Sequence, residues 1–74
     1  MEISYELYQS LIQKYEAEIQ GYKTTLLIYF EKPVGISDHS NHIEEIDDLV
    51  GKMTNANDKL CMLKNIFGSA YSKL

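Results

Sequence analysis

The chain holds one cysteine, one proline, no tryptophan and no arginine in its 74 residues. A lone Cys61 excludes an internal disulfide and fits a reducing, cytoplasmic setting. The absence of arginine matters more. Seven lysines stand against eleven carboxylates, for a formal net charge of -4, so no basic stripe exists to neutralise phosphates. Nucleic acid is not an expected partner. An acidic mimic of DNA is not expected either, because lysines interrupt the acids everywhere except at Glu44-Glu45 and Asp47-Asp48. No apolar run approaches the roughly 20 residues of a membrane span, and Met1-Glu2-Ile3-Ser4 carries no basic leader region. Neither membrane insertion nor secretion is expected.

A chain of this length forms one domain, residues 1–74, near the size at which a single core barely offsets chain entropy. With no disulfide, and with no cofactor expected, association with another chain is the remaining source of stability.

What the sequence does have is heptad periodicity. In the first arm one column runs Tyr8, Tyr15, Tyr22, Tyr29 and the other Tyr5, Ile12, Ile19, Leu26, with Gln13, Lys14, Glu16, Glu18, Gln20 and Lys23 between them. This predicts a helix over about residues 3–31, roughly 43 Å long, with a left-handed packing seam. Two features oppose it. Gly21 costs up to about 1 kcal/mol inside a helix, and Thr24–Phe30 has a strand-like composition. The register kept by Tyr22, Leu26 and Tyr29 decides for helix. Gly21 is read as permitting a close helix approach, and the tyrosines as filling a partly exposed seam with their hydroxyls in water. A ligand pocket lined by stacked phenols is the alternative use of that column.

The second arm repeats the pattern. Ile46, Met53, Leu60, Phe67 and Leu74 form one column, and Leu49, Ala56, Leu63 and Ala70 the other. A helix over about residues 41–67 follows, with a tail at 68–74 that frays or prolongs it. Asn41, Asp38 and Ser40 are the candidate caps, and Glu44, Glu45, Asp47 and Asp48 suit the positive end of the helix dipole. Lys59 and Lys64 lie toward the other end, where Gly68 is a plausible stop.

Arms of matched length joined by a short connection at 32–40 make an all-α protein: an antiparallel two-helix hairpin, coiled-coil-like. Two helices bury one seam, so the remaining apolar residues need another surface. Ile3, Leu7 and Leu11 should meet Cys61, Met62 and Ile66 at one end of the rod. Leu27, Ile28 and Phe30 should meet Ile43 and Val50 at the other, with a polar waist between. The expected outcome is a homo-oligomer, most simply a dimer forming a four-helix bundle, with Leu7, Leu11, Leu27, Phe30, Ile43, Val50, Met62 and Ile66 at the interface.

The connection collects the unusual residues. Pro33 ends the first helix and Gly35 allows a tight turn, which accounts for the segment without function. A second reading uses the amides that open the second helix: Lys32, Pro33, Gly35, Ser37, His39, Ser40 and His42 would surround a small phosphate-bearing ligand or, with the adjoining apolar end, meet a host protein. No Walker pattern or G-x-G-x-x-G supports it. His39 and His42 are three apart, with Asp38 or Glu45 as an oxygen donor, yet neither an H-E-x-x-H frame nor the Glu-x-x-His of di-iron bundles is present. Both histidines instead extend the heptad columns backwards, and that reading is preferred to a metal. Catalysis is not expected. Cys61 lies far along the rod from both histidines, and Ser37-Asp38-His39 are adjacent letters unable to take triad roles on one substrate.

Glu31-Lys32-Pro33-Val34-Gly35-Ile36, followed by Asp38-His39, Glu44-Glu45-Ile46-Asp47, Asp58-Lys59-Leu60 and Phe67, resembles small uncharacterised proteins of large tailed phages over roughly Tyr5 to Phe67. The resemblance implies a source and a manner of acting: a phage accessory or anti-defence protein in the host cytoplasm, working by stoichiometric binding of a host protein or a nucleotide signal. The expectation is thus a non-enzymatic binding protein. A structural coiled-coil adaptor without a ligand is the alternative.

Overall fold

The computed structural model describes residues 2–31 and 42–71, which form two helices, α1 (Ile3–Glu31) and α2 (His42–Tyr71). They pack side by side as an antiparallel, all-α hairpin: Tyr29 meets His42 at one end and Tyr5 meets Tyr71 at the other. The Cα trace measures 51 × 18 × 16 Å.

In α1 the heptad reading holds from end to end. Tyr8, Ile12 and Leu26 are buried, while Tyr5, Tyr15, Ile19, Tyr22 and Tyr29 are half-buried. The strand-like segment stays helical with Tyr22, Leu26 and Tyr29 kept in the seam, and its threonine hydroxyls find acceptors one turn back. Thr24 Oγ1 donates to the Gln20 carbonyl at 2.9 Å, and Thr25 Oγ1 to the Gly21 carbonyl at 3.1 Å. Gly21 is not a site of close approach within the hairpin. A Cβ built there meets nothing within 4 Å, and the same holds at Gly51.

In α2 the columns hold from Ile46 to Leu63, with Ala56 buried and Ile46, Leu49, Met53 and Leu60 half-buried. Beyond that the expected seam is wrong. Phe67 is 45% exposed and Ala70 is exposed, whereas Gly68 and Tyr71 turn inward. A straight helix drifts about 20° per heptad, so the direction facing α1 passes to an 11-residue spacing, Leu49, Leu60, Tyr71.

Nor does α2 stop at Gly68. No described glycine has a positive φ, so the left-handed stop is not used. The helix continues to Tyr71 because its last turns have a partner: the Tyr71 ring lies 5.1 Å from Tyr8 and 6.4 Å from Tyr5. The extension leaves the last turn without a basic residue. Lys59 and Lys64 are therefore too far back to complement the dipole, which acts within the final turn. Glu44 and Glu45 do occupy the first turn, as expected. The candidate caps Asp38, Ser40 and Asn41 lie outside the described residues.

Candidate interaction surface

The seam accounts for few of the apolar side chains. Among the described residues only Tyr8, Ile12, Leu26 and Ala56 are buried, and eleven large hydrophobic side chains stay exposed. A two-helix rod has only one inner face, which limits what it can bury.

Around each helix, successive residues advance by about 100°, which sorts the exposed residues into two flanks of the seam. Leu7 and Leu11 on α1 fall on the same flank as Met62 and Ile66 on α2. The structure joins them through two grooves that share Leu63 and Phe67. The first, about 180 Å³, is lined by Ser4, Leu7, Tyr8, Leu11 and Tyr71 besides the shared pair. The second, about 370 Å³, adds Tyr15, Asp58, Lys59, Met62 and Ile66. Phe67, expected in the seam, is thus the floor of this face. Its border at the waist is charged. Lys14 Nζ donates to Glu18 Oε2 at 2.6 Å, which holds the Lys14 amine above its usual range, and Lys14 and Lys59 each lie 5.9 Å from the Tyr15 ring centre. We call this face the open-end flank.

Leu27 and Phe30 with Ile43 and Val50 fall on the opposite flank, at the turn end. All four are exposed, Ile43 the most at 79%. Ile28, expected in that group, points away from it on the far side of α1 by the same angular count. Cys61, expected beside Ile66, also changes side: it is exposed on the flank opposite the grooves. Apart from Ile28 and Cys61, the exposed apolar residues gather toward the two ends as expected, but the two groups face opposite ways.

Closure of the turn end is polar. The Tyr29 hydroxyl donates to Glu45 Oε1, and this bond, assisted by partial burial, raises the phenol above its ordinary range. The half-buried His42 sets its ring edge-on to Tyr29, centroids 5.9 Å apart at 76°. His42 therefore caps the seam, as its place in the heptad column implies. Of the other candidate ligand residues, Lys32, Pro33, Gly35, Ser37, His39 and Ser40 lie outside the described residues. Among the described residues no group of three or more His, Cys, Asp or Glu is arranged to hold a metal. Cys61 and His42 are separated along α2 by about 28 Å at 1.5 Å per residue, too far for a cysteine–histidine pair within one chain.

The phenols are seam residues first. One small hollow of about 280 Å³ does sit over them, lined by Tyr5, Tyr8, Gln9, Ile12, Glu16, Lys64 and Tyr71, with Gln9 Nε2 donating to the Tyr5 hydroxyl at 2.9 Å. Tyr71 was missed by the heptad reading, although the 11-residue spacing from Leu60 was a signal that pointed to it. No described helix is long and apolar enough to cross a membrane. Comparison with family models, with curated proteins and with solved structures finds no match to this chain.

Proposed function

We propose that this chain is a non-enzymatic binding protein that acts by stoichiometric contact, closing its apolar flanks on protein surfaces. The observation that carries the reading is the distribution of apolar side chains. Among the described residues eleven large hydrophobics stay exposed against four that are buried, and nine of the eleven gather on two flanks. A solvated monomer has no use for such faces, whereas a helix-in-groove or helix-bundle contact buries them. The resemblance to small tailed-phage proteins points the same way, to an accessory or anti-defence role in the host cytoplasm through capture of a host protein.

Capture of a small nucleotide signal receives less support. Its residues centre on Lys32, Ser37, His39 and His42, and His42 is engaged in packing against Tyr29. A thermal-shift panel separates the versions. A nucleotide at 100 times its dissociation constant adds about 2.7 kcal/mol, a rise of roughly 10 °C or more for a domain of this size. The protein-capture reading predicts no such rise with nucleotides or divalent ions. It also predicts saturable one-to-one retention of a host protein that Leu27→Lys plus Val50→Lys abolishes. Retention of nothing by the folded wild type would leave the structural adaptor in its place.

A further inference from the structure

The two flanks need not serve the same partner. We propose that a second copy of this chain occupies the open-end flank, about a two-fold axis that crosses the rod there. The turn-end flanks of both copies are then left free at the outer tips. This deepens the capture reading by making the assembly bivalent.

Area is the first argument. Leu7, Leu11, Met62, Ile66 and Phe67 together expose roughly 550 Å², the top of the range of about 300–600 Å² for the largest patch on a monomer. Complete burial of the patch on two copies comes to about 1,000 Å², the size expected of a specific interface. Shape is the second. The face is a ridge from each helix with a groove between, floored by Leu63 and Phe67. A two-fold operation seats one copy's ridge in the other's groove and the reverse at once, as an isologous contact requires. Need is the third: four buried residues among those described are a small core for a chain with no disulfide, and the dimer extends that core.

The border fixes the geometry. Lys14, Asp58 and Lys59 rim the face at the waist. An axis through the patch alone buries the apolar ridges and leaves these charges in water, as interface rims do. Two rods laid along each other in full would bury the charged waist as well. Overlap is thus confined to about twelve residues at the open ends, giving an assembly about 85 Å long from two 51 Å rods.

Light scattering and small-angle X-ray scattering on the wild-type chain at micromolar concentration test this without any substitution. The proposal expects twice the 8.5 kDa chain mass and a maximum dimension near 85 Å. A monomer overturns it, and so does a dimer no longer than about 55 Å, which would be the full side-by-side bundle. A dimer of the expected length that retains no host protein leaves this proposal standing and removes the capture reading. A monomer that retains one does the reverse.

Discussion

The open end and the turn end are closed by different chemistry on the same two-helix frame. At the open end three tyrosines, Tyr5, Tyr8 and Tyr71, shut the seam with ring contacts, and Gly68 leaves room beneath the Tyr8 hydroxyl. At the turn end a phenol–carboxylate bond and the edge of an imidazole do so. Aromatic closure buries area and resists solvent and pH. Polar closure depends on which groups carry protons and adds little at an exposed site. The open end should therefore carry more of the stability of the fold, and the turn end should yield first.

The largest expected effect is at Tyr8, 8% exposed and packed against the tilted ring of Tyr71. Tyr8→Ala should lower the unfolding free energy by about 3 kcal/mol or more, read as a fall in the urea midpoint. For so small a core that leaves the chain largely unfolded at 25 °C. Next comes Tyr71→Ala, expected to cost about 2 kcal/mol and to fray the last turns of α2. Phe67→Ala should cost clearly less in a dilute, monomeric sample, since Phe67 lies outside the seam. The opposite order would restore the plain heptad register and refute the drift.

Between the ends, Gly21→Ala should stabilise by about 0.5–1 kcal/mol, because helix propensity improves and the added methyl meets nothing within 4 Å. Loss of stability there would reveal a second chain seated on α1 at mid-rod, which the proposed overlap excludes.

The smallest effect is at the turn end. Tyr29→Phe should destabilise only slightly near neutral pH. The folded Tyr29 pKa is raised above its ordinary value near 10, chiefly by the bond to Glu45. Its contribution is present below that ordinary value and disappears as pH rises through the folded pKa, where the phenol ionises beside a carboxylate. The wild-type advantage over Tyr29→Phe should accordingly vanish in alkaline titration followed by circular dichroism.

Much of this frame was legible in the residues. Both helices, their antiparallel pairing and the whole α1 seam follow from a period of seven sustained by Tyr5 to Tyr29. The Thr24–Phe30 stretch resolved as helix because Leu26 and Tyr29 keep the seam begun upstream, and its threonine hydroxyls bond back to Gln20 and Gly21. The end of α2 was not legible from a strict heptad. Twenty degrees per repeat is invisible over one heptad and decisive over three, so Phe67 and Tyr71 exchange places. Gly68 read as a stop because glycine often ends helices, yet contacts made by a residue three places later keep it helical. The same angular counting assigns Cys61 and Ile66 to opposite flanks, which sequence neighbourhood does not reveal. The candidate ligand residues other than His42 lie at positions outside the described helices.

The account rests on the two flanks being unequal, and paired charge insertions test that most directly. Leu7→Lys with Ile66→Lys on the open-end flank should convert the proposed dimer to a monomer of 8.5 kDa by light scattering, with helical circular dichroism retained. Leu27→Lys with Val50→Lys on the turn-end flank should leave the dimer mass unchanged. A monomer from the turn-end pair, with the open-end pair still dimeric, would contradict it.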